Sequence, residues 1–137
     1  MLDTNVIVAA MRSPGGAASA LLMAARHSAV TLLASVALAL EYEAVCRLDE
    51  HRRAAGLSLD EVDVFVDAVL AMAEPVEPHF LWRPQLRDPA DEMVLETAIN
   101  GRAAVIVTFN KRDFGRAPAR FGIDVLTPGE TLQRIRA

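Results

Sequence analysis

Ala103-Ala104-Val105-Ile106-Val107-Thr108-Phe109-Asn110-Lys111-Arg112-Asp113-Phe114 decides how the chain is read. Ala103 to Val107 form the strongest strand candidate, an apolar run that stops abruptly at a polar turn. In a parallel sheet, ligands gather outside the carboxyl ends of strands, near the point where strand order reverses. Asn110 and Asp113 stand there, although a polar loop after a strand explains them equally well.

Outward from that strand, short apolar runs alternate with amphipathic helices, the pattern of a parallel α/β sheet. Strands are expected at Leu2 and its neighbours, Val30–Leu33, Val76–Leu81, Ala104–Thr108 and Asp124–Leu126. Helices are expected at Ala17–His27, Val36–Ala55, Leu59–Ala73, Pro89–Asn100 and Pro128–Arg136. Ser58 with Glu61 has the spacing of a capping box. Thr127-Pro128 and Asp88-Pro89 each put proline at the first helical position, which makes Thr127 and Asp88 N-caps. Glu61 and Glu130 then read as structural. The segment Glu74–Arg87, with Pro75, Pro78 and Pro84, reads as a strand and a surface loop. Only Met1 and Leu2 precede Asp3, so the first strand is either a stub or begins upstream.

With 137 residues, 53% apolar and 23% charged, the chain suits one globular domain, residues 1–137. A single cysteine, Cys46, rules out an intrachain disulfide and fits a reducing, cytoplasmic setting. No signal peptide is evident, and the longest nearly apolar run, Ala29 to Leu40, is too short for a bilayer, which needs ~20 residues. The net charge of −4 argues mildly against nonspecific nucleic-acid binding. Yet 13 of the 14 bases are arginine, whose fork matches phosphate oxygens. Lys111, Arg112, Arg116 and Arg120 share one segment, as a solvated loop or a phosphate dock.

The carboxylates separate by context. Asp3-Thr4-Asn5 follows an apolar start, and Asp3 is either a turn acid or an acid facing the crevice. Glu41 has Ala37, Leu38, Ala44 and Val45 on its helical face, so it is expected on the buried stripe, paired or on a metal. Glu43 has Arg47 four residues on and reads as a surface ion pair. Asp91, one turn inside its helix, either favours the helix dipole or projects to a metal. Asp88 is the cap behind it. Glu92 and Glu96 read as a pair on the solvent face. His27, His51 and His79 lack zinc spacing, Ser13-Pro14-Gly15-Gly16 lacks a P-loop lysine, and no Cys–His pair suggests a thiol nucleophile. Cys46 and Met72 read as packing residues.

Taken in order, these motifs resemble the PIN-domain family. They are the acid of D-T-N, a glutamate in the second long helix, an acid opening a late helix, and the turn T-x-N-x-x-D-F from Thr108. The stretch Arg87 to Ala98 and the closing Val125 to Glu130 share the likeness, which is nearest to bacterial VapC-like toxins of toxin–antitoxin pairs. The resemblance implies a three-layer α/β/α sandwich around a parallel sheet of about five strands, order 3-2-1-4-5. That order would bring Asp3 beside the Thr108–Asp113 turn. It implies Asp3, Glu41, Asp91 and Asp113 as catalytic ligands of Mg²⁺ or Mn²⁺. Thr4, Asn5, Asp88, Thr108 and Asn110 would orient ligands or phosphate, and Lys111, Arg112 and Arg116 would hold RNA. Asn110 departs from the many relatives with an acid there. The implied activity is endoribonuclease, as a type II toxin with a cognate antitoxin partner. The alternative is a degenerate PIN domain that binds RNA or protein without cutting. A receiver-like phosphoacceptor finds no central aspartate and late lysine to support it. A homodimer is also expected, with Val62, Phe65, Val66, Val69 and Met72 as a candidate interface stripe that serves equally as core.

Overall fold

In the computed structural model, which describes residues 1–79 and 86–136, the strands are short and parallel. β1 (Leu32–Ala34) pairs with β2 (Ala73–Pro75), and β3 (Val105–Val107) pairs with β4 (Asp124–Leu126). Leu2 joins the second pair as a single parallel bridge to Val107, with Asp3 N donating to Val107 O at 2.9 Å and Val107 N to Met1 O at 2.8 Å. The expected pairing of strands 2 and 3 and that of strands 1, 4 and 5 are therefore present. A continuous five-stranded sheet is not formed among the described residues, because β1 and Leu2 share no ladder.

Helices account for most of the rest. α1 (Thr4–Arg12) begins directly after Leu2 and Asp3, where no helix was expected. Its run Val6-Ile7-Val8 has strand-like composition, but all three side chains are buried, and packing overrides the weak intrinsic preference. α2 (Ala17–Arg26) packs on α1 and on α7 (Pro128–Arg136). The expected long helix Val36–Ala55 is two, α3 (Val36–Cys46) and α4 (Asp49–Ala55), broken at Arg47 and Leu48. Arg47 pairs with Asp63 at 2.6 Å and not with Glu43, which corrects the expected ion pair. α4 ends at Gly56, whose φ of +72° suits a residue without a Cβ.

α5 (Leu59–Ala71) carries the expected capping box: Glu61 N donates to Ser58 Oγ at 3.2 Å, and Ser58 N donates to Glu61 Oε1 at 3.0 Å. Val62, Val66 and Val69 are buried in the chain's own core, with Phe65 and Met72 packed against it. The stripe offered for a dimer is therefore core. Large apolar side chains that stay exposed include Val36 and Leu40 on α3.

α5 stops at Ala71, Ala73 belongs to β2, and the third strand precedes its expected place at Val76–Leu81. Phe80, Leu81 and Pro84 of the expected strand and loop lie outside the described residues. α6 (Pro89–Asn100) touches both β1 and β3 and so spans the two strand pairs. That position buries Glu92, Val94, Leu95, Glu96, Thr97 and Ala98. Glu92 and Glu96, read as solvent-facing, are buried, and Leu86 N donates to Glu92 Oε1. Cys46 is fully buried, as expected of a packing residue. Among the described residues no single helix is long and apolar enough to cross a membrane.

Candidate active site

Asp3 is the hinge of the site because three constraints meet on one side chain. It ends the Leu2 bridge, it is the N-cap of α1, and it is buried. Its Oδ1 accepts from Thr4 N at 2.8 Å, which satisfies one open amide of the helix start. Its Oδ2 accepts from Thr108 Oγ1 at 2.7 Å. Thr108, fully buried at the end of β3, passes the connection onward: its Oγ1 accepts from Asn110 N at 3.0 Å and from Asn5 Nδ2 at 3.4 Å. Asn5 Oδ1 in turn accepts from Phe109 N at 3.4 Å. The D-T-N motif and the T-F-N turn are thus stitched together across 105 residues of sequence. Thr4 contributes its backbone amide.

The other aspartates come from two elements. Asp88 caps α6, accepting from Ala90 N at 2.9 Å, with Pro89 at the first helical position. Asp91 lies in the first turn of α6 and is half-buried. Asp113 sits in the short 3₁₀ turn Lys111–Phe114 after β3, exposed, while Phe114 anchors that turn in the core. Asp88, Asp91 and Asp113 line one cleft of about 640 Å³ with Arg87, Arg112 and Arg116.

These carboxylates feel one another. Burial first, then the charges of Asp3, Asp88 and Asp113, pushes Asp91 from the ordinary 3.8 up to about 7. Asp3 is also raised, chiefly by burial and further by Asp113 and Asp88, against the lowering effect of its bonds from Thr108 and Thr4. The neighbouring charges disfavour the ionised forms of Asp3 and Asp91, a repulsion that a cation would relieve.

Glu41 stands apart from this set. It is half-buried on α3, and its charge is not among those that raise Asp3 or Asp91. The buried stripe of α3 is Leu38, Tyr42 and Cys46, while Ala37 and Ala44 beside Glu41 are exposed. This corrects the expectation that Glu41 lies on that stripe. The next residue, Tyr42, was missed by the sequence reading. It is buried, donates from its hydroxyl to Leu2 O, and so fixes α3 to the strand that delivers Asp3. Its signal was available: it is the one tyrosine of the chain, adjacent to a suspected ligand.

Lys111, expected at the RNA, instead bonds Glu130 Oε1 at 2.8 Å and does not line the cleft. Glu130 is held well down, to about 2, first by Lys111 and then by the Thr127 amide. It completes a capping box with Thr127, as its structural reading required. Arg112 and Arg116 do line the cleft, as does Arg120 of the same basic segment; Arg87 joins them and was not singled out from sequence.

Among the described residues no three His, Cys, Asp or Glu side chains converge tightly enough to form a ready metal cage. The donor set nevertheless suits a hard divalent cation: the clustered ionisable donors are all carboxylates, two of them raised by burial and by neighbouring carboxylate charge. A family model described as PIN domain matches residues 1–112. No curated protein and no solved structure matches the chain.

Proposed function

Because the chain belongs to the PIN domain family, whose members are typically metal-dependent nucleases, we propose that it is an endoribonuclease that uses Mg²⁺ or Mn²⁺. The observation that carries this reading is the gathering of Asp88, Asp91 and Asp113 at a cleft rimmed by arginines, with Asp91 raised by burial and by Asp3, Asp88 and Asp113, and Asp3 raised by burial and by Asp113 and Asp88. Asp3, Asp91 and Asp113 would hold the ion, and the family resemblance adds Glu41 of α3, which stands apart from them in the metal-free protein, as a fourth ligand. A bound divalent ion supplies an acidified water and a polarised phosphodiester. Thr108 keeps Asp3 oriented, and Asn5 and Asn110 hold the turn against the start of α1. Asp88 caps α6 and thereby sets the direction of Asp91. Arg112 and Arg116, with Arg87 and Arg120, would take the RNA backbone and offset the chain's negative charge locally. Cleavage would leave a 5′-phosphate.

The cellular role within this reading is that of a type II toxin, cytoplasmic, held by a cognate antitoxin whose tail enters the acidic cleft. A homodimer remains part of it, now supported by the exposed Val36 and Leu40 of α3.

Purified full-length protein incubated with single-stranded RNAs tests the chemistry. Cleavage is expected with Mg²⁺ or Mn²⁺ and lost with chelator. Asp3→Asn, Glu41→Gln and Asp91→Asn should each lower it more than about 100-fold, since even partners of metal ligands cost roughly 10–100-fold. Glu43→Gln, exposed on α3, is the near-silent control. Cleavage that survives chelator would overturn the metal-dependent reading. RNA binding without cutting under every metal condition would identify the degenerate, non-catalytic domain.

A further inference from the structure

α3 is tied by two buried side-chain bonds, one to each of two segments that deliver an acid. In its second turn the Tyr42 hydroxyl donates to Leu2 O, the residue before Asp3. At its start Ser35 Oγ lies 2.9 Å from Thr97 Oγ1 of α6, and both residues are buried.

The direction of the second bond follows from its protons. A hydroxyl has one proton and two lone pairs. Thr97 spends its proton on Met93 O at 2.8 Å. Ser35 therefore donates to Thr97. Ser35 Oγ in turn accepts from Leu38 N at 3.2 Å, as the N-cap of α3. One unbroken chain results: Leu38 N–H to Ser35, Ser35 O–H to Thr97, Thr97 O–H to Met93 O. Met93 lies two residues beyond Asp91, and a threonine bond to the carbonyl four residues earlier often bends a helix. For stability alone, an apolar pair of the same shape would serve nearly as well. What the hydroxyls add is a fixed distance and angle between α3 and α6.

We propose that Ser35 and Thr97, together with Tyr42, are positioning residues. Their two bonds make α3 a strut that sets Asp91 of α6 against Asp3 and so raises the affinity of the site for its divalent cation. All three act through the acids. The inference rests on the metal-dependent reading of the site, whatever its RNA.

Binding of Mn²⁺ to the full chain without RNA, followed by the paramagnetic signal of the free ion, tests the strut. Thr97→Val should raise the dissociation constant by about tenfold or more, the scale for losing a partner that orients a ligand. Thr97→Ser keeps a hydroxyl in place and should stay within about twofold of the parent. Tyr42→Phe cuts the other bond at nearly unchanged volume and should weaken Mn²⁺ binding as Thr97→Val does, so the test stands if one variant fails to fold. Ser58→Ala removes the cap of α5 and should lower the melting temperature without changing Mn²⁺ affinity. Parent-like affinity in both Thr97→Val and Tyr42→Phe would overturn the proposal. So would an equal loss in Thr97→Ser, which would make packing the cause, or in Ser58→Ala, which would make affinity follow stability. A parent protein that binds no Mn²⁺ would instead overturn the metal-dependent reading, and the strut with it.

Discussion

The two ends of the strands solve opposite problems. At the carboxyl end, aspartates of α6 and the 3₁₀ turn line a polar cleft, and together with Asp3 they raise the cost of ionising Asp91. At the amino end, apolar strand edges stand apart around a cavity with few charges. The first end is over-supplied with like charge and the second under-supplied with packing. Both lower the stability of the fold, and a cation would relieve the first. Their shared boundary is the three-residue stretch Met1, Leu2 and Asp3.

Acidity gives the largest contrast. Asp91 is raised from 3.8 to about 7, so between those values the folded state binds more protons than the unfolded state. Stability of the metal-free protein should therefore fall as pH rises from about 4 to 7, and level off above. Metal affinity should run the other way, weakening by up to about tenfold per pH unit below 7 as protons compete for the carboxylate. Thermal melts with and without Mn²⁺ across that range measure both slopes, and Asp91→Asn should flatten the metal-free slope. A metal-free melting temperature that rises from pH 4 to 7 would contradict the repulsion at this end.

Thr108→Val sharpens the comparison at the same end by removing a bond without removing a charge. The variant loses the donor to Asp3 Oδ2 and the acceptor for the Asn110 amide. Cleavage should drop by roughly 10–100-fold, the scale for losing a partner that orients a metal ligand. Its effect on RNA binding should be small, because the arginines of the cleft are untouched. Activity within twofold of the parent would show that Asp3 is oriented without it.

The amino end answers to packing alone. A Cβ on Gly101 would lie 2.9 Å from Leu33 Cδ1 and from Val76 Cγ2, and 3.0 Å from Thr97 O. Gly101→Ala should destabilise by about 1–3 kcal/mol, as overpacking does. It should leave the melting profile against pH unchanged in shape, since no carboxylate is involved. A shift in that shape would mean the two ends are coupled.

The parts of this molecule legible in the sequence were those written locally. Ser58 with Glu61, Asp88 with Pro89, and Thr127 with Glu130 announced three helix starts, and all three caps are present. The run ending at Val107 announced β3, and D-T-N beside the Thr108 turn is joined as the expected strand order required. The parts that were not legible depend on what packs against what. Val6-Ile7-Val8 looks extended until it is buried as a helix. The break at Arg47 and Leu48 has neither proline nor glycine to mark it. Glu92 and Glu96 sit at the spacing of a solvated pair, and only contact of α6 with two strand pairs buries them. Glu41 and Tyr42 differ by one position, and only the packing of α3 shows that the tyrosine takes the inward place.

The bond between Lys111 and Glu130 has a bearing on where the molecule can be cut. The family likeness runs to residue 112, one position short of Asp113. Yet the turn carrying Asp113 is tethered to the start of α7 through Glu130, which also closes the Thr127 cap. The site is thus braced from beyond the recognisable segment. A version trimmed to the family's edge would forfeit an acid of the cleft together with the mooring of the turn that bears it.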